Sequence, residues 1–103
     1  MHMNEYQRAA MSFRKPSADN VYAILGLMEE AGEVAGKFSK ARRDGFNENF
    51  TKEVVKELGD VLWMIAAIAS DLEVELHDVA SENLTKLSKR KQDGTIGGSG
   101  DNR

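Results

Sequence analysis

The chain has 103 residues, of which 41% are hydrophobic and 30% are charged, a balance that indicates one globular domain and excludes wholesale disorder. Cysteine is absent, which excludes disulfide scaffolds, thiol nucleophiles and cysteine-ligated metal sites, and the net charge of −3 argues against broad binding of nucleic-acid polymers. The longest apolar run, residues 61–69, is far shorter than the roughly 20 residues of a membrane span, and no basic-then-apolar leader opens the sequence, so we expect a soluble, cytoplasmic domain without membrane contact.

Apolar residues recur with a helical period along the chain and predict an all-α fold of four helices, at 4–14, 18–43, 51–70 and 76–92. Pro16 ends the first helix, Ser17 or Asp19 caps the second, and glycines follow the second and the fourth. The residues expected to be buried are Tyr6, Ala9, Ala10 and Phe13 on the first helix, Val21, Ile24, Leu25, Met28, Ala31, Ala35 and Phe38 on the second, and Leu76, Val79, Ala80, Leu84 and Leu87 on the fourth.

Three glycines, Gly26, Gly32 and Gly36, interrupt the second predicted helix, and each costs about 1 kcal/mol of helix propensity relative to alanine. They indicate close approach of a neighbouring helix or a ligand. Residues 1–94 are predicted to form a single helical domain, and residues 95–103 a glycine-rich tail that is either mobile or pinned against the domain.

Residues 61–69 make the third predicted helix apolar on every side, whereas a surface helix has a solvated face. Either the other three helices of the chain surround it, or subunits of an oligomer cover each other's third helix. Because small helical domains bury little surface alone, the sequence favours an oligomeric bundle.

Two pairs of acidic residues lie in otherwise apolar stretches of the second and third helices. Glu30 and Glu33 are three residues apart, as are Glu57 and Asp60, so each pair lies on one helix face, about 60° apart around the axis. Such spacing usually marks a solvated face, but Asp60 leads directly into the apolar run, and converging carboxylates without a counter-charge are costly there. A hard cation resolves this conflict, and four oxygen ligands suit Mg²⁺ or Mn²⁺.

A phosphate-rich substrate at such a site needs further cations from the protein. Candidates are Lys37 and Lys40 on the glutamate face of the second helix and, late in the fourth, Lys86, Lys89, Arg90 and Lys91. Lys86 and Arg90 are four residues apart and can bind one phosphate group together, although cations in the last turn of a helix also favour the helix dipole without any ligand.

Two segments resemble the EExxE…ExxD signature of the MazG-like nucleotide pyrophosphohydrolases, the all-α NTP pyrophosphatase superfamily: Gly-Leu-Met-Glu-Glu-Ala-Gly-Glu-Val-Ala (26–35) and Lys-Glu-Leu-Gly-Asp-Val-Leu-Trp (56–63). The 23 residues between Glu33 and Glu57 fit the gap of that family. The likeness continues through residues 79–91 and the ending at 98–103, so it covers nearly the whole chain as one MazG unit.

The resemblance implies a four-helix MazG-like bundle that forms a homodimer or a dimer-of-dimers tetramer. It implies Mg²⁺-dependent cleavage of an NTP or dNTP between the α- and β-phosphates, with two or more ions per site and Mn²⁺ as a substitute. The metal ligands would be Glu30, Glu33, Glu57 and Asp60, the residue that orients or deprotonates the attacking water would be Glu29, and the substrate-binding residues would be Asn83, Lys86 and Arg90, with Lys37 added from its position on the glutamate face.

The sequence departs from the family at the base-binding positions. Relatives that prefer dCTP carry aromatic residues where this chain has Lys40 and Met64, so a tight base pocket of that kind is not expected. Trp63 and Tyr6 are either stacking partners for a base or core residues. The alternative function is a non-catalytic helical oligomerisation module whose acidic residues form a solvated patch.

Overall fold

The computed structural model describes residues 1–102, which form four helices and no strand. The helices are α1 (Met3–Met11), α2 (Asn20–Asp44), α3 (Phe50–Asp71) and α4 (Leu76–Asp93). The all-α class is therefore confirmed, and the last three helices begin and end within two residues of their predicted bounds. The division at residue 94 stays a prediction, and the last residue of the predicted tail, Arg103, lies outside the described residues.

Capping residues explain where the helices begin and end. The Asp19 carboxylate accepts a hydrogen bond from the Tyr22 backbone N–H at 2.9 Å, which makes Asp19 the N-cap of α2. The helix ends at Gly45, whose φ of +102° is a conformation that glycine adopts without steric cost. Gly94, with φ +72°, ends α4 in the same way.

Helices α2 and α3 pack side by side in antiparallel orientation. Gly26 lies against Met64, and the Phe38 ring meets the Phe50 ring edge to face with centroids 4.9 Å apart. Residue numbers therefore rise along α2 as they fall along α3. This register brings the middle of α2 opposite the first half of α3, where the acidic residues lie.

Only one of the three glycines in α2 marks a close approach between helices. A Cβ atom built on Gly26 would lie 2.6 Å from the Met64 sulfur, so glycine lets that side chain reach the α2 backbone. Among the described residues, nothing lies within 4 Å of a Cβ built on Gly32 or Gly36. The expectation is thus confirmed at Gly26, where a neighbouring helix approaches, and the approach of a ligand or another subunit at Gly32 and Gly36 stays a prediction.

Side chains of α1 connect α3 with α4 and accept hydrogen bonds from backbone N–H groups at the start of α4. The buried Gln7 donates through Nε2 to the Ser70 hydroxyl of α3 at 3.1 Å, and its Oε1 accepts from the Leu76 N–H at 2.7 Å. Asn4 Oδ1 accepts from the His77 N–H at 3.0 Å. Since the residue before α4 makes no side-chain cap, two of the unpaired N–H groups at that helix end are satisfied from α1.

Helix α3 lies at the centre of the chain because it packs against each of the other three helices. Its buried residues include Met64 and three alanines, Ala66, Ala67 and Ala69, whereas Leu62 is exposed. The other helices of the same chain therefore bury part of α3, and whether subunits of an oligomer cover the rest stays a prediction.

The predicted buried face of α2 is wrong for the single chain. All seven of its residues are exposed, for example Leu25 at 62% and Met28 at 75%. Among the described residues α2 packs only against α3, and it turns its small residues, Ala23, Gly26 and Ala41, toward that neighbour. The hydrophobic pattern identified an apolar face correctly but could not show that no other helix of the chain covers it.

The predicted stripes of α1 and α4 need the same correction. Ala10 and Leu76 are buried as expected, and Tyr6 and Ala80 are half-buried. The remaining residues are exposed, namely Ala9, Phe13, Val79, Leu84 and Leu87. The radius of gyration is 16.4 Å, compared with about 13 Å for a compact domain of this length, which agrees with this open arrangement.

Within residues 1–102, none of the helices combines the length and the continuous apolar character that crossing a bilayer requires.

Replacing Gln7 by alanine should lower the free energy of unfolding by about 1–3 kcal/mol, because the buried Leu76 N–H would lose its acceptor. Urea denaturation followed by circular dichroism measures the change. Gln92→Ala, at an exposed position of α4, is the matched control and should leave the stability within about 0.5 kcal/mol of the unsubstituted protein. Equal effects of the two substitutions would contradict a bridging role for Gln7.

Candidate functional site

Three carboxylates from two helices meet at one point between α2 and α3. One oxygen each of Glu30, Glu57 and Asp60 lies within 4.8 Å of the other two, and we call these residues the acidic triad. Glu57 and Asp60 are one turn apart on α3, and the antiparallel packing brings Glu30 of α2 opposite them. Oxygen atoms so close together can share one divalent cation.

The other two predicted acidic residues lie beside the triad and not within it. Glu33 and Glu29 are exposed on α2, outside the group of converging oxygens, yet close enough for their charges to act on Glu30. Asp60 is also exposed, contrary to the expectation that the apolar run would shield it. The single chain leaves the acidic triad open to solvent on one side.

The pKa of Glu30 is raised above its ordinary value, first by partial burial and then by the negative charges of its neighbours, with Asp60 contributing most, followed by Glu29, Glu57 and Glu33. Among the described residues, no basic side chain forms an ion pair with any member of the acidic triad. The negative charge of the triad is therefore not compensated by an ion pair. Carboxylate oxygens in such an arrangement are suitable ligands for a hard cation.

An open pocket with a volume of about 500 Å³ adjoins the acidic triad. Its walls combine aromatic and apolar side chains with a few polar ones, and we call it the aromatic pocket: Phe13, Lys15, Ser17, Ala18, Tyr22, Glu30, Asp60, Trp63 and Met64. Trp63 thus lines a cavity and is half-buried, which joins the two roles considered for it. Pockets of this size and composition bind small organic molecules.

The wall of the aromatic pocket that comes from residues 12–19 is fixed by one arginine. Arg14 donates two parallel hydrogen bonds to the Asp71 carboxylate, at 2.8 and 3.0 Å, and a third from Nε to the Ala18 carbonyl at 2.7 Å. The hydrogen bond from Arg14 lowers the pKa of Asp71. These contacts explain why α1 ends at Met11, earlier than predicted, since the following segment turns to bring Arg14 onto α3.

Two aromatic residues tie α1 to the site. The Trp63 indole N–H donates to the Ala10 carbonyl at 3.1 Å, which fixes one face of the aromatic pocket. Tyr6 is half-buried, and burial together with the charge of Asp60 raises its pKa. Helix α1 therefore lies next to the acidic triad, although it supplies none of the carboxylates.

The predicted substrate-binding cations lie apart from the acidic triad in the single chain. Lys37 pairs with Glu53 across the α2–α3 packing at 3.9 Å. Lys86 and Arg90, here called the basic pair, contact Asp101 of the tail at 3.1 Å each, and Asn83 lies on the same helix, exposed. In the part of the chain that the structure describes, α4 does not pack against α2.

Sequence reasoning missed the residues that shape the aromatic pocket and its supports, Phe13, Lys15, Ser17, Arg14 and Gln7. Each acts through partners 50 or more positions away in the sequence or through a loop conformation, so neither helical periodicity nor acidic spacing reveals it. A sequence signal was present only at Pro16, which predicted a break between the first two helices but not its shape.

Known proteins are similar in sequence to this chain over the helices that carry the candidate site. Residues 20–95 match the family model of the MazG nucleotide pyrophosphohydrolase domain, a range that includes the acidic triad and α4. The chain is 41% identical to the gene 37 protein of Mycobacterium phage L5 over the full length of both. It is 35% identical to the uncharacterized protein YvdC of Bacillus subtilis, over 62% of this chain and 68% of that one. No solved structure matches significantly.

Replacing Glu30 by glutamine should raise the melting temperature of the metal-free protein at pH 7.5. A raised folded-state pKa means that the ionised glutamate destabilises the folded protein above that pKa, and that this cost disappears as the pH falls below the ordinary carboxyl pKa. The difference between the variant and the unsubstituted protein should therefore shrink toward zero near pH 4.

Thermal unfolding followed by circular dichroism from pH 4 to pH 8 with a chelator present measures this difference. Glu82→Gln, on the exposed surface of α4, removes the same charge outside the triad and should show little dependence on pH. A Glu30→Gln variant that is less stable at every pH would show that the triad carries no repulsion.

Proposed function

We propose, since the chain belongs to the MazG nucleotide pyrophosphohydrolase family, that it hydrolyses nucleoside or deoxynucleoside triphosphates between the α- and β-phosphates. The products are the monophosphate and pyrophosphate, and the reaction draws on the nucleotide pool of the cytoplasm. The observation that carries this proposal is the convergence of three carboxylates, none of which forms an ion pair with a basic side chain of the described residues. An aromatic pocket next to them supports a substrate with a flat, partly apolar group.

The residues of the acidic triad fit a magnesium site. We assign metal binding to Glu30, Glu57 and Asp60, with Glu33, one turn further along α2, as a fourth ligand once the site is loaded. Carboxylate oxygens are the ligands that Mg²⁺ and Mn²⁺ prefer, and five acidic residues in one region can accommodate two or more ions. When bound, the divalent cation supplies the positive charge that neutralises these carboxylates and stabilises the departing pyrophosphate.

Side chains of the protein would then orient the attacking water and accept a proton from it. Glu29 immediately precedes Glu30 on α2 and is exposed, so water can reach its carboxylate, which would accept the proton of the attacking water. Water attacks the α-phosphorus in line with the leaving oxygen, and the bond between that phosphorus and the bridging oxygen breaks. No covalent enzyme intermediate is needed, in agreement with the absence of cysteine.

The aromatic pocket receives the nucleoside. Trp63 is held by its hydrogen bond to Ala10, and Tyr22 and Phe13 lie on the α2 and loop sides, so a base can stack on fixed aromatic surface. Glu30 and Asp60 line the same pocket, which supports a binding mode in which the phosphates of the nucleotide lie next to the acidic triad.

The basic residues of α4 belong to the same reaction through a second subunit. The apolar face of α2 is exposed in the single chain, and a homodimer or a dimer of dimers would cover it. Within one chain α4 does not pack against α2, whereas in an oligomer the α4 of a neighbouring subunit can approach the triad. Asn83, Lys86 and Arg90 would then bind the β- and γ-phosphates. Lys37, on the glutamate face of α2, would help to neutralise the negative charge of the substrate.

The purified protein should convert at least one of the eight common NTPs and dNTPs to its monophosphate and pyrophosphate when Mg²⁺ is present. In ¹⁸O-labelled water the label should enter the monophosphate, because the proposal requires attack at the α-phosphorus. Asp60→Asn and Glu57→Gln should each lower kcat by at least about a hundredfold, since each removes a carboxylate from the centre that stabilises the charge. Mass spectrometry of the products measures both results.

Glu48→Gln is the control for this assay, because it removes a carboxylate from the exposed loop before α3 and should leave kcat unchanged. Release of orthophosphate with a diphosphate would show that a different bond is cleaved. Lack of turnover with every nucleotide, together with an unchanged melting temperature in Mg²⁺, would favour the non-catalytic oligomerisation module instead.

Mixing two inactive variants tests whether the site is shared between subunits. Asp60→Asn subunits and Lys86→Ala/Arg90→Ala subunits should each be inactive alone, while mixed dimers contain one intact site, so a random equimolar mixture should recover about a quarter of the unsubstituted activity. Activity is measured after the subunits are exchanged in mild denaturant. A mixture no more active than the separate variants would place both sets of residues in one chain.

A further inference from the structure

The tail turns back along α4 and meets the basic pair. Gly94 adopts φ +72° after the helix, and the Thr95 N–H donates to the Arg90 carbonyl at 2.7 Å, so the chain reverses direction there. Seven residues after Gly94, the Asp101 carboxylate reaches both Lys86 and Arg90. A connection that starts beside Arg90 therefore ends on its side chain.

One carboxylate oxygen serves both cations. Asp101 Oδ1 accepts from Lys86 Nζ at 3.1 Å and from Arg90 Nη2 at 3.1 Å, and the Gly100 carbonyl accepts from the same Nη2 at 3.2 Å. Hydrogen bonds from the basic pair lower the pKa of Asp101, with Lys86 contributing most, so the carboxylate stays ionised in this contact. The tail thus supplies an anion where the proposed function requires a phosphate.

Asp101 fits this position incompletely. The Arg90 side chain is only 7% exposed, and its buried Nε has no hydrogen-bond partner within residues 1–102. An unpaired N–H of a buried guanidinium is costly, and a phosphate group has more oxygens with which to satisfy it than the single oxygen used here. Asp101 itself is 79% exposed, so water competes for its two ion pairs and the contact can be displaced.

We propose that Asp101 is an intramolecular competitor for the basic pair, and that the tail leaves Lys86 and Arg90 when a phosphate group binds there. The proposal rests on the proposed function for the assignment of the basic pair to phosphate. It makes the tail an autoinhibitory contact, because in the free protein the carboxylate quenches the charge that attracts substrate. Removing the Asp101 charge then strengthens phosphate binding, whereas a purely structural tail would weaken or preserve it.

The test measures the binding of magnesium pyrophosphate by isothermal titration calorimetry, which requires no turnover. Asp101→Asn should bind about two- to tenfold more tightly than the unsubstituted protein, as expected for the loss of two exposed ion pairs that compete with the ligand. Asp93→Asn is the matched control, because it removes the same charge from the same end of α4 but from an ion pair with Lys89. Its affinity should change less.

A second measurement follows the tail directly. In a ¹⁵N-labelled protein, saturating pyrophosphate should move the backbone amide signals of residues 98–101 toward those of an unstructured chain, and Asp101→Asn should show that change before any ligand is added. Tail signals that keep their free-state positions in the saturated complex would overturn the proposal, as would unchanged or weaker binding by Asp101→Asn.

Failure of the proposal and failure of the underlying function give different results. If Lys86→Ala and Arg90→Ala weaken pyrophosphate binding while Asp101→Asn does not strengthen it, the competitor role is wrong and the phosphate assignment stands. If neither alanine variant weakens binding, the basic pair does not bind phosphate. The competitor role of Asp101 and the assignment of Lys86 and Arg90 to phosphate are then both wrong.

Discussion

One unfavourable interaction governs the candidate site. The packing of α2 against α3 holds three carboxylates close together, and their negative charges repel one another. Glu57 and Asp60 cannot separate because a single turn of hydrogen-bonded backbone joins them. Glu30 cannot withdraw unless α2 moves away from α3, and the contact of Met64 with the backbone at Gly26 ties the two helices at that level. Partial burial of Glu30 and the negative charges of its neighbours both disfavour its ionised form, which is why its pKa is raised.

Contacts of helix α1 stabilise the packed helices that keep the repelling carboxylates together. It supplies no carboxylate, yet Gln7 joins it to both α3 and α4, and the Trp63 indole binds the Ala10 carbonyl. The segment after it is held by the two-pronged contact of Arg14 with Asp71. Because Trp63 and the segment that Arg14 holds line the aromatic pocket, contacts that join the helices also fix one side of that pocket.

The sequence predicted the helices and the acidic face well, and the reason is local. Helical periodicity, Asp19 as a cap and Gly94 as a stop all act within a few residues, and a spacing of three places Glu57 beside Asp60 whatever the tertiary fold. Side chains such as Gln7 and Arg14 could not be identified, because their partners lie more than 50 positions away. The apolar face of α2 was recognised as a pattern, but periodicity shows only that a face is apolar and not which element covers it.

The acidic triad and the basic pair are separate in the single chain, since α4 does not pack against α2 among the described residues. Among the described residues, the carboxylates of the acidic triad form no ion pair with a basic side chain, and burial together with neighbouring negative charge raises the pKa of Glu30. The basic pair on α4 is balanced by Asp101, an exposed residue of the tail, and no described residue pairs with the Arg90 Nε. A magnesium complex of a triphosphate presents positive charge to the first group and negative charge to the second, so it would replace both arrangements at once. Under the proposed function, in which the two groups meet at a contact between subunits, this charge complementarity would favour binding of the ligand between them.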